Sequence, residues 1–128
     1  MGRGELFPII NVDAVAPVRA FYETVFGGAV DYRFPADGEP VYLTLRIGPS
    51  TLGIGLGTGP AMYGATPLPA TGHAVDLCLY VADLDAAIAA APDAGGAVVV
   101  PAGDTPWGER VAYLRDPQGT MLLVIRET

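Results

Sequence analysis

Two stretches of this chain follow one plan at a fixed offset, and that repeat leaves few folds open. Residues Phe7 to Val12 match Asp76 to Val81 in length and alternation, and Tyr42 to Arg46 match Val111 to Arg115, both at an offset of 69 residues. Thr51 falls on Thr120 at the same spacing. Gly27-Gly28-Ala29-Val30 returns as Gly95-Gly96-Ala97-Val98 at 68, so one residue is lost within the helix between. A repeat of this length is two copies of one supersecondary unit, neither able to bury its apolar face alone. The two copies are therefore expected to pack together as one domain over 1–128.

Within each copy the pattern predicts β-α-β-β-β. Residues 6–12 alternate with Ile9, Ile10 and Val12 and read as a strand, after which Asp13 is placed to cap a helix carrying Val15, Val18, Phe21, Tyr22, Val25 and Phe26 on one stripe. Gly27-Gly28 ends that helix, and extended runs follow near 29–34, 40–47 and 51–57, separated by turn-forming residues. The Gly- and Pro-rich stretch 58–72 reads as a linker between module one, 5–57, and module two, 73–127. The second copy opens with a strand over 74–81 and caps its helix with Asp83. It turns Leu84, Ala87, Ile88 and Ala91 inward, and closes with strands near 97–101, 110–115 and 120–126. The fold class is α+β.

Composition narrows the function. A chain of 128 residues buries about two-thirds of its unfolded surface without a covalent staple, and its one cysteine, Cys78, has no internal partner. Cytoplasmic placement is the default expectation, since no signal core or run of about 20 apolar residues is present. A net charge of −7 argues against a nucleic-acid partner and mildly favours neutral or cationic ones. The sequence contains no Gly-x-Ser-x-Gly elbow and no P-loop, and its Cys and His have no pairing context, so acyl transfer and nucleotide hydrolysis lack their parts. Asp83 with Asp85, and Asp104 with Glu109, lie at helix or loop starts, where capping and solvation account for them.

The local motifs resemble the vicinal-oxygen-chelate superfamily of glyoxalases, extradiol dioxygenases, fosfomycin-resistance enzymes and bleomycin-binding proteins. Phe21-Tyr22 with Phe26-Gly27 is similar to its helix-end pattern, Val81 to Ala87 to its second helix start, and Pro106-Trp107-Gly108 with Asp116-Pro117-Gln118-Gly119 to its final hairpin. The resemblance covers nearly the whole chain. It implies a U-shaped eight-stranded mixed sheet around a cavity with helices on the outer face, and a homodimer. Metal-using members place His, Glu or Gln at up to four cavity positions, which fall here on Phe7, Ile54, Asp76 and Leu123. The 69-residue offset links them in the same pairs, Phe7 with Asp76 and Ile54 with Leu123. A divalent ion needs three or four N, O or S donors, so neither a metal nor another cofactor is expected. His73 lies ahead of the ligand position and reads as an exposed loop residue.

Asp76 interrupts an apolar run, and three readings stay open: an internal salt bridge with Arg110, Arg46 or Arg33, a carboxylate that binds ligand, or a general base. Alternation puts Cys78 and Tyr80 on its face and Phe7, Ile9 and Asn11 on the matching face of module one. Trp107 offers a flat surface for a planar or cationic ligand, or packs on its own domain. Gly53, Gly55 and Gly57 leave one face of their strand bare, which suggests close approach of a helix or second subunit. The expected function is metal-independent binding of an aromatic or cationic small molecule, such as an antibiotic, by Phe7, Asn11, Ile54, Asp76, Cys78, Tyr80, Trp107, Arg110 and Leu123. The alternative is a lyase, isomerase or dioxygenase, with Asp76 as base or with metal ligands not recognised.

Overall fold

A computed structural model describes residues 4–57 and 74–128; the linker 58–72 and His73 lie outside the described residues. The first module runs β1 (Ile9–Val12), α1 (Val15–Phe26), β2 (Ala29–Phe34), β3 (Tyr42–Ile47) and β4 (Ser50–Leu56). The second runs β5 (Leu77–Val81), α2 (Leu84–Asp93), β6 (Ala97–Asp104), β7 (Arg110–Arg115) and β8 (Met121–Arg126). The eight strands form two four-stranded mixed sheets, ordered β1-β4-β3-β2 and β5-β8-β7-β6, with the first strand of each module parallel to its last. The two βαβββ units are thus present, and each keeps its own sheet.

One apolar face per element explains the packing. The α1 stripe buries Val15, Val18, Phe21 and Tyr22, and α2 buries Leu84, Ala87 and Ala91. Both helices contribute to one core cluster with Leu43, Leu45, Leu52 and Ile54 of the first sheet and Ala112, Leu114, Leu122 and Val124 of the second. Each fully buried Leu or Phe supplies about 1.5–3 kcal/mol, so neither module retains its stability with this face in water. A buried hydrogen bond crosses the same seam: the Tyr22 hydroxyl donates to Asp116 Oδ2 at 2.7 Å. Burial, then the charge of Asp116 and this bond, push the Tyr22 phenol well above its usual range.

The helix ends repeat closely. Gly27 and Gly95 adopt the left-handed conformation, φ 70° and 90°, and the next glycine returns its N–H to the helix, Gly28 to Tyr22 O at 3.0 Å and Gly96 to Ala91 O at 2.8 Å. Tyr22 and Ala91 keep the 69-residue offset while the glycines stand at 68, so the lost residue belongs to the last turn of α2, where Pro92 sits. Asp83 caps α2, accepting from Ala86 N at 3.0 Å. Asp13 does not cap α1. The N-cap is Ala14, without a side-chain bond, and the Asp13 backbone N–H donates to Gln118 Oε1 at 3.0 Å across the modules. Among the described residues no helix is long and apolar enough to cross a membrane.

Candidate functional site

Each sheet turns one face to its helix and leaves the other open. On the first sheet the open face is set by two rows in register: Ile9, Gly53, Thr44 and Tyr32, then Asn11, Gly55, Tyr42 and Phe34. Ile9, Tyr32 and Phe34 are about half exposed there. On the second sheet the matching row is Cys78, Leu123, Tyr113 and Val100, followed by Tyr80, Ile125 and Val111. Tyr80 is 63 % exposed and Cys78 is an exposed free thiol.

A groove of about 1410 Å³ runs past the free edge of β5. Its walls are the segment 5–8, the end of α1, the β3–β4 turn, residues 76–83 and Ala86, Ala87 and Ala90 of α2. It brings together Phe7, Asp76, Cys78 and Tyr80, four of the residues expected at the site. Phe7 and Asp76 are half-buried and stand just ahead of β1 and β5, outside the ladders, because both strands begin later than the alternation suggests. Asn11 is exposed on the open face of the first sheet, and Leu123 is half-buried beside Cys78 on that of the second.

Three expected residues lie elsewhere. Ile54 is fully buried opposite Leu43 on the helix side, so it belongs to the core. The cause is a hairpin of unequal length. Arg46 pairs with Thr51 in the first module, whereas Arg115 pairs with Met121 in the second, so the offset rises from 69 to 70 across the turn. A one-residue slip exchanges the faces of a strand, and Leu123 therefore corresponds to Gly53 rather than Ile54. Thr120 consequently lies in the turn and has no strand equivalence to Thr51. Trp107 and Arg110 stand on the β6–β7 hairpin, away from the groove. Trp107 is 72 % exposed and donates Nε1–H to Glu109 Oε1 at 2.8 Å, and Arg110 pairs with Asp104 at 3.1 Å. Arg33, another candidate partner for Asp76, donates to the carbonyls of Pro35 and Gly38.

The bare glycine strand is also resolved. A methyl group on Gly53 would lie 2.8 Å from Ile9 Cγ1 and 3.2 Å from the Tyr42 hydroxyl, and one on Gly55 would contact Tyr42 Cδ1 at 3.7 Å. Within the chain it is side chains of the neighbouring strands that lie over these glycines. Tyr42 sits there with its phenol raised by burial and by Tyr32, whose ring centroid is 6.2 Å away. Sequence reasoning missed Thr44, a fully buried polar residue whose Oγ1 has no hydrogen-bond partner among the described residues. Only its register, opposite a glycine, could have drawn attention to it.

Among the described residues the donor set of these positions does not suit a divalent ion. With Ile54 turned inward, the nearby open-face positions are Gly53 and Gly55, and among the described residues no three His, Cys, Asp or Glu side chains gather.

Comparison with known proteins agrees with this geometry. Residues 6–124 match the family described as Glyoxalase/Bleomycin resistance protein/Dioxygenase superfamily. An uncharacterised protein of Mycobacterium bovis is 34 % identical over 118 residues, covering 89 % of this chain and 77 % of the relative. Among solved structures, TioX from Micromonospora sp. ML1 superposes with a TM-score of 0.71 at 24 % identity, over 98 % of this chain and 97 % of that one. A glyoxalase-related enzyme from Fulvimarina pelagi gives 0.77 at 18 % identity, over 98 % and 89 %.

Proposed function

The chain belongs to the Glyoxalase/Bleomycin resistance protein/Dioxygenase superfamily, and from that premise we propose that it is a metal-independent small-molecule binding protein that sequesters an aromatic, preferably cationic, ligand on the open faces of its sheets. The observation that carries this reading is the set of exposed rings there, Tyr32, Phe34 and Tyr80, none of which folding requires to be solvent-facing. Rings stack on a planar ligand, and a net charge of −7 attracts a cation. Phe7, Asn11, Cys78 and Leu123 complete the surface, and Asp76 stands at its lip.

The protein acts as a homodimer in this proposal. β1 and β5 each end a sheet and present an unpaired edge among the described residues. The groove beside β5 exceeds the roughly 300–1,000 Å³ of a small-molecule pocket, and the edge strand β5 forms one of its walls, so its size suits a strand of a second copy. Pairing β1 of one copy with β5 of the other would join the four-stranded sheets into eight-stranded ones and bring their open faces into one cup. Sedimentation is expected to give a species of twice 13.2 kDa at micromolar concentration, and a single 13.2 kDa species rejects the dimer. The exposed thiol of Cys78 suits a reducing cytoplasm.

Proflavine, a planar aromatic cation, tests the binding reading by fluorescence titration. Tyr80→Ala is expected to weaken its binding about tenfold, the worth of one aromatic contact, with no loss of thermal stability. Unchanged affinity in that variant, or no binding by the native chain, counts against the proposal.

A further inference from the structure

The two modules differ at one row of their open faces. Where the second sheet fills the row with Leu123 and Tyr113, the first has Gly53 and Thr44, so one copy of the repeat carries small residues, covered by Tyr42 and Ile9, where the other carries large ones. That row holds an anomaly. Among the described residues Thr44 Oγ1 is buried without a hydrogen-bond partner, although a buried polar group normally finds one. Beside it the Tyr42 hydroxyl rests above Gly53, and among the described residues it too forms no hydrogen bond.

We infer that Thr44, Gly53 and Gly55 form a socket for the hydroxyl- or carbonyl-bearing edge of a flat aromatic ring, with Tyr42 as a displaceable cover. Glycine leaves a floor on which a ring lies against backbone, and the nearest atoms above it are side-chain atoms of Tyr42, Ile9 and Asn11. Tyr42 is held by packing against Tyr32 and by no hydrogen bond among the described residues, so an incoming ring replaces one aromatic contact with another. The exchange gives Thr44 the partner it lacks, since its hydroxyl can donate to a carbonyl or accept from a phenol. Tyr32 and Ile9 bound the socket along the row. This deepens the proposed function and rests on it: it names the class of ligand edge the cup selects.

A pair of probes differing by one hydroxyl reads the socket directly. In amide chemical-shift titrations 2-naphthol is expected to bind about tenfold more tightly than naphthalene, with the largest shifts at Thr44, Gly53 and Gly55. Thr44→Val should abolish that preference while raising Tm by about 2–5 °C, because it removes a polar group that the free protein buries unpaired. A residue with a purely structural role would not raise stability and erase selectivity together. Gly53→Ala should weaken both probes equally, since its methyl fills the floor. A preference that survives Thr44→Val, or shifts absent from β3 and β4, overturns the socket. The cup itself is judged separately by proflavine and Tyr80→Ala, so a failed socket and a failed binding reading are distinguishable.

Discussion

Gly96→Ala is expected to destabilise the protein by about 3 kcal/mol or more, seen as a large drop in the urea midpoint. The added methyl would lie 2.5 Å from the carbonyl oxygen of Arg115 and 2.5 Å from Phe21 Cε2, with the Ala91 carbonyl at 3.2 Å. Two of these neighbours are backbone and the third is a fully buried ring, so no flexible tip can yield. The strain falls where α1 of one module meets β7 of the other, and it therefore weakens the contact that lets the modules share a core. Gly103→Ala is the matched control. Nothing lies within 4 Å of a methyl there and the backbone is not left-handed, so its effect should stay within about 0.5 kcal/mol. Equal destabilisation by the two variants would show that the helix-end glycines do not set the module contact.

The sequence carried the fold well because hydrophobic period and glycine placement are local. The stripes of α1 and α2, the Gly27-Gly28 and Gly95-Gly96 stops and the order of helices and strands along the chain were all legible from spacing. What failed depended on counting through a turn. A single extra residue in Asp116-Pro117-Gln118-Gly119-Thr120 exchanged the faces of the last strand, and Ile54 moved from the cavity to the core. Cap choice failed for another reason. Asp13 has the right chemistry, but its backbone serves Gln118 from the other module, a tertiary contact invisible to local pattern. The row of Gly53 and Thr44 was half legible: the glycines stood out, whereas the side chains lying across them depend on strand neighbours 9 and 42, which only the sheet brings together.

Asp116→Ala is the second change expected to have a large effect, about 3 kcal/mol or more, because one buried carboxylate satisfies three donors. Its Oδ2 accepts from Tyr22, and its Oδ1 accepts from the N–H groups of Gln118 and Thr120 at 2.9 Å each. Asp116→Asn should cost clearly less, since its remaining oxygen can still serve the turn. Tyr22→Phe separates the cross-module bond from the turn and gives a pH signature. In the folded protein the Tyr22 phenol is held above its usual value of 10.0, mainly by burial, while the unfolded chain ionises near that value. Below pH 10 both states keep the proton and the stabilisation is complete. Above it the unfolded state loses the proton that the native state retains, so stability falls by about 1.4 kcal/mol per pH unit from this group. Urea titrations from pH 8 to 11 should show this alkaline slope in the native sequence, reduced by close to one proton in Tyr22→Phe. Identical slopes would mean that Tyr22 is free to ionise in the folded state, which its fully buried bond to Asp116 does not permit.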